Sequence, residues 1–272
     1  MTNKSFLDVY EVNTLINCKE VEHLAVRIWA YSLTQKSKQT AHYFDEAYDY
    51  NANSKSPNGT IYKWLKYGRP VPNLKKTAGN KGLLHRILID HPHSLRVLYS
   101  PGWILLSGPV SSSALDSLMQ LIDWKVYQIL NKHLLSRSLI EAGDPAQLVR
   151  LANVKRYVAY YLGQLTRIGT LDAFFGMVFL VCEFGLMRNY LPEETAVFNF
   201  VPKKWKFCQG LPDDLILELG ERINILAQAY YSHHNVSISI VRVHRKIFEK
   251  SKLPRKSEEG DELFRLLIKG LT

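Results

Sequence analysis

Two close histidine pairs, His91-Pro92-His93 and His233-His234, are the first residues in this 272-residue chain that could do chemistry. Paired imidazoles can begin a zinc site, but such a site needs further Cys, His or carboxylate ligands at fixed spacing. Neither pair brings them, and the chain has no HExxH segment and no CxxC pair. Asp213, Asp214 and Glu218 form a carboxylate group that could hold Mg2+. Acids directly after Pro212 also suit the positive end of a helix, and His233 and His234 suit its negative end. No metal ligand set and no cofactor are therefore expected. Glycine-rich phosphate loops of the types GxxxxGK[ST] and GxGxxG are missing, as is GxSxG. Nucleotide and serine hydrolases of the familiar kinds are thus disfavoured. Cys18, Cys182 and Cys208 are odd in number and far apart, which excludes a disulfide framework and points to a reducing, cytoplasmic setting.

The strongest signal is electrostatic. With 35 Lys+Arg against 25 Asp+Glu the formal net charge is +10, and the isoelectric point is near 9.4. Residues 54–100 hold Lys55, Lys63, Lys66, Arg69, Lys75, Lys76, Lys81, Arg86 and Arg96, with Asp90 as their single acid. Such a concentration of cations is what phosphate binding requires, because each cation near a phosphate releases condensed counterions. Tyr62, Trp64, Tyr67 and His85 are interleaved with the cations, and planar rings can stack on bases. A solvated basic face with its aromatics turned inward gives the same pattern, and a tryptophan such as Trp64 buries a large area wherever it can.

Within this stretch, Thr60-Ile-Tyr-Lys-Trp-Leu-Lys-Tyr-Gly-Arg-Pro-Val-Pro-Asn-Leu74 resembles the recognition helix and following turn of Xre/Cro-type helix-turn-helix proteins. Gly68 and Pro72 keep that family's Gly-to-Pro spacing, while Trp64 stands four residues before the glycine where the family has three. The resemblance to this divergent element covers about residues 56–90. It implies a DNA-binding regulator or accessory factor, with residues 56–66 facing the major groove. Lys55, Arg69, Lys75 and Lys76 would then lie on backbone phosphates, joined by Lys63 and Lys66, and Tyr62 and Asn58 would be base readers. Duplex DNA is expected in preference to RNA, and the protein is expected not to be an enzyme.

Two alternatives belong to other classes. Arg86-Ile-Leu-Ile-Asp-His91 has the Arg-x4-His spacing of ribonucleases of the HEPN group, in which His and Arg of two subunits meet at a cleft. That resemblance implies a helical ribonuclease of a toxin or phage-defence system with Arg86 and His91 as catalytic residues, although Ile87 replaces the polar residue common after the arginine. The other alternative is a protein-interaction module whose basic face docks an acidic partner or a membrane surface.

Periodicity shows what must position these residues: a predominantly helical, all-α protein. Val21, Leu24, Ala25, Ile28 and Trp29 form the stripe of an amphipathic helix over 18–33. Residues 42–50 continue a helical hairpin, residues 51–59 read as a loop, and Gly59 to Tyr67 is a short helix stopped by Gly68, Pro70 and Pro72. Another short helix covers 83–89. The Gly- and Pro-containing segment 98–110 marks a division into a basic, helix-turn-helix-like part, 1–105, and a helical bundle, 110–272, that would mediate homo-oligomerisation or partner binding.

In the second part, a long helix is expected from Ser113, its cap, to His133. Asp144-Pro145 opens another, and Pro212 a third whose stripe is Leu215, Leu219, Ile223, Leu226 and Tyr230. Leu171 to Met187 is nearly all apolar, but it is short of the ~20 residues of a membrane span and carries Glu183. It reads as a buried core or subunit-interface helix. Only 236–243 alternates like a strand, and since a lone strand makes no sheet, helix and extended edge both stay open there. Residues 249–261 read as a linker before a last helix, 262–271. The N-terminal residues show no secretory core and neither end a lipidation signal, so a mature protein without a membrane span is expected.

Overall fold

Helix α1, Lys19–Ser37, carries apolar residues on two faces, and both are buried. A computed structural model of the chain describes residues 18–51, 56–69, 83–131, 137–152, 154–186, 198–200, 202–231 and 238–240. Glu20 and Glu22 in the first turn of α1 and Lys36 in its last complement the helix dipole, and Lys38 ends it in the left-handed region at φ 56°. Val21, Leu24, Ala25 and Ile28 join the larger of two apolar clusters. Val26, Trp29, Ala30 and Leu33 join the smaller one. Four residues of the expected stripe thus face the larger cluster, while Trp29 turns to the smaller one with Val26, Ala30 and Leu33.

The smaller cluster is closed by four short helices: α2, Ala41–Tyr48; α3, Thr60–Tyr67; α4, Leu83–Asp90; and α5, Leu95–Leu98. Phe44, Ile61, Trp64, Leu84, Ile87, Leu95 and Leu98 are the side chains they contribute. Trp64 lies against Trp29 with ring centroids 5.2 Å apart. Between α2 and α3, Tyr50–Asn51 and Ser56–Pro57 pair as two-residue antiparallel strands, β1 and β2, so the expected loop has a short ladder at its base.

The larger cluster surrounds α12, Leu171–Leu186, which is apolar on all sides and buried along almost its whole length. An all-round apolar helix needs neighbours on every side. They are α6, Gly102–Leu106; α7, Ser112–Met119; α8, Trp124–Asn131; α11, Val154–Ile168; and α13, Asp213–Tyr231. Among the described residues no helix is long and apolar enough to cross a membrane. Gly102 permits a close approach of α6 to α12: a β-carbon there would overlap the Phe175 ring.

Several local readings are corrected. The segment 98–110, the expected point of division, contains α6, whose Trp103, Ile104, Leu105 and Leu106 are core residues. Met1–Val241 forms one compact unit, with this segment inside it. The long helix expected from Ser113 to His133 is two helices, α7 and α8, the first capped by Ser111, whose hydroxyl accepts the Ala114 N–H. Asp123 makes the break, because its carboxylate accepts the Lys125 N–H and so starts α8 as a cap. Asp144 likewise accepts from Gln147 at the start of α10, Pro145–Ala152, which follows α9, Arg137–Glu141. Ile238–Ile240 (β4) does find a partner, pairing in parallel with Phe198–Phe200 (β3). The stripe of α13 is buried at all five expected positions. The linker and last helix expected over 249–271 lie outside the described residues.

Candidate functional site

Helix α3 is held from below and from its N-terminal end. Ile61 and Trp64 are buried in the smaller cluster. Its first amide groups are taken by two acids of the α2 segment. Asp45 accepts from Ile61 N–H at 2.7 Å and Tyr62 N–H at 3.4 Å, and Asp49 accepts from Thr60 N–H at 3.2 Å. Burial raises the Asp45 pKa, against the lowering effect of these N–H bonds. With its orphan amides satisfied by carboxylates, the N-terminus of α3 does not offer itself to a phosphate.

The C-terminal end is equally fixed. Gly68 caps α3 at φ 65°, its N–H bonding to Trp64 C=O at 3.0 Å. A β-carbon on Gly68 would overlap the His23 backbone of α1. Only glycine meets both conditions at once. Arg27 of α1 donates to Leu65 C=O at 3.4 Å and is itself held by Glu218 at 2.8 Å and by Asp214. Two of the three acids read as a Mg2+ group, Asp214 and Glu218, thus receive a guanidinium from α1.

What α3 presents to solvent is Tyr62, Lys63, Lys66 and Tyr67. The i, i+1, i+4, i+5 spacing puts these four on one face. Tyr62 is 56% and Tyr67 47% exposed. The Lys66 ammonium stands 4.9 Å from the Tyr67 ring centroid and 5.9 Å from that of Tyr62. Interaction with the Tyr67 side chain raises the Lys66 pKa, so the cation persists well above neutral pH. Arg69, exposed, follows at the C-terminal end. No acid occurs within α3.

The other residues singled out in the sequence divide into three groups. Lys55, Lys75 and Lys76 lie outside the described residues. Asn58 is exposed, but its side-chain N–H group donates to the Asp49 carbonyl and carboxylate, both at 3.1 Å, so its amide braces the turn before α3. Lys63 donates to Asn58 C=O at 3.2 Å. Arg86 donates to the Tyr48 carbonyl, and His91 lies against the Phe44 ring at 5.6 Å. Arg96 pairs with Asp123 at 3.5 Å and Asp172 at 3.7 Å.

Asp45 and Asp49 are positioning residues that sequence reading did not single out. Their signal was present: acids in the last turn and at the C-cap of α2 oppose that helix's own dipole, which suggests service to another element. The link between α2 and α3, residues 49–59, is longer than the 3–4-residue turn typical of a helix-turn-helix. No family model matches the chain, and neither the curated proteins nor the solved structures contain a significant match to it.

Proposed function

We propose that the chain is a nucleic-acid-binding protein that lays the outer face of α3 on duplex DNA. The observation that carries this reading is the acid-free face of Tyr62, Lys63, Lys66 and Tyr67 on a helix braced at both ends. A rigid helix of two turns suits a major groove about 12 Å wide, and lysines that need not reorganise lose less entropy on meeting phosphate. Lys63, Lys66 and Arg69 contact the backbone, while Tyr62 and Tyr67 reach base edges or sugar. The resemblance of residues 60–74 to an Xre/Cro recognition helix supports the same assignment.

Titration of the purified chain with duplex DNA, single-stranded DNA and RNA over a range of salt tests it. Three phosphate contacts give a slope of log K against log salt of about −3 on duplex DNA. The triple charge reversal Lys63→Glu, Lys66→Glu, Arg69→Glu abolishes binding with an unchanged melting temperature. A folded triple mutant with wild-type affinity refutes the assignment, and preferential binding of single strands or RNA refutes the duplex part of it.

A further inference from the structure

A cleft of about 850 Å3 opens elsewhere on the molecule, between α1, α5, α8, the start of α12 and the 3-10 turn Lys206–Gly210. Its size lies within the range of small-molecule sites. Lys36, Arg96, Lys125 and Lys206 converge on it from four separate elements, and the half-buried Phe207 contributes an aromatic wall. Asp123 and Asp172 also line it and hold Arg96 between them. Among the described residues Lys36, Lys125 and Lys206 pair with no carboxylate. Four cations against two carboxylates leave the lining net positive, which favours an anion in the cleft.

The chemistry of the lining narrows the ligand. Three unpaired ammonium groups suit a phosphate or diphosphate. An apolar wall with the edge or face of Phe207 suits a planar ring. The two carboxylates repel a bare polyanion but accept hydrogen bonds from hydroxyls. We infer that this cleft binds a nucleoside phosphate, its base against Phe207, its phosphates among Lys36, Lys125 and Lys206, and its sugar hydroxyls toward Asp123 and Asp172. The site is separate from the face of α3 and does not depend on the nucleic-acid reading.

Calorimetric titration of the full chain with ADP, UDP, adenosine and inorganic phosphate tests the inference. At least one of the two nucleotides binds at least tenfold more tightly than both adenosine and inorganic phosphate. Lys125→Glu combined with Lys206→Glu, both exposed and tolerant of change, weakens that binding at least tenfold without lowering the melting temperature. Phe207→Leu, which keeps the packing against Phe174, weakens it several-fold. The triple charge reversal on α3 leaves it unchanged, so the two sites fail or stand separately. No nucleotide binding at millimolar concentration, inorganic phosphate binding as well as either nucleotide, or full affinity in the folded double lysine variant each overturns the proposal.

Discussion

Asp45 accepts the backbone N–H of Ile61 at 2.7 Å, so that a carboxylate on one helix caps the next across sixteen residues of chain. The bond is buried, with Asp45 only 3% exposed. It transmits the packing of α2 directly into the position of α3 and hence of Tyr62, Lys63 and Lys66.

Asp45→Ala removes the cap and leaves the Ile61 N–H buried without an acceptor, a loss of about 2–3 kcal/mol. Asp45→Asn retains an acceptor oxygen and costs about 1 kcal/mol or less. Urea denaturation of the two variants separates them, and equal destabilisation would show that charge rather than the hydrogen bond matters.

Gly68 and Gly59 form a matched pair at the two ends of α3. Both have positive φ, 65° and 68°, but only Gly68 faces backbone, whereas a β-carbon on Gly59 meets nothing within 4 Å. Gly59→Ala therefore carries the left-handed penalty alone, about 1–2 kcal/mol. Gly68→Ala adds overpacking against His23 and costs about 2–5 kcal/mol. Thermal melts of both variants check the order; equal destabilisation would mean that backbone conformation alone decides.

Asp172 supplies a pH dependence with a definite sign. Burial raises its pKa, opposed by the nearby Arg96. A raised folded pKa means that the folded chain holds the proton more tightly than the unfolded one. This contribution to stability is present below the unfolded carboxylate pKa and is lost as pH rises through the folded value. Asp172→Asn abolishes the titration. The melting temperature of the wild type minus that of the variant therefore falls as pH rises from the ordinary carboxylate range, about pH 4, through the raised folded value. A constant difference would mean that Asp172 has an ordinary pKa.

Arg27 links α1 to α13 through Glu218 and to α3 through Leu65 C=O. Both members of the Arg27–Glu218 pair are mostly shielded, with side chains 16% and 29% exposed. Burial raises the Glu218 pKa against the lowering effect of Arg27, so desolvation offsets part of the attraction. A double-mutant cycle with Arg27→Met and Glu218→Gln gives a coupling of about 1 kcal/mol. Zero coupling would place the pair with ordinary surface ion pairs.

Much of the helical framework was legible because periodicity reports which residues face inward whatever they meet. The stripes of α1 and α13, the exclusively apolar α12, the stop at Gly68 and the start at Asp144-Pro145 are local facts of residue type and spacing. The concentration of cations between 54 and 100 was equally plain. Tertiary structure decided their uses. Arg86 went to the Tyr48 carbonyl and Arg96 to two carboxylates, while Lys63, Lys66 and Arg69 stayed at the surface. It also decided that α1 serves two cores, that 98–106 is interior and that Asp123 splits an apparently continuous helix. The caps of α3 by Asp45 and Asp49, and the meeting of Lys36, Arg96, Lys125 and Lys206, depend on contacts between distant residues. Such contacts leave no period in the chain, because they are set by which apolar faces pack together and not by the spacing along any one of them.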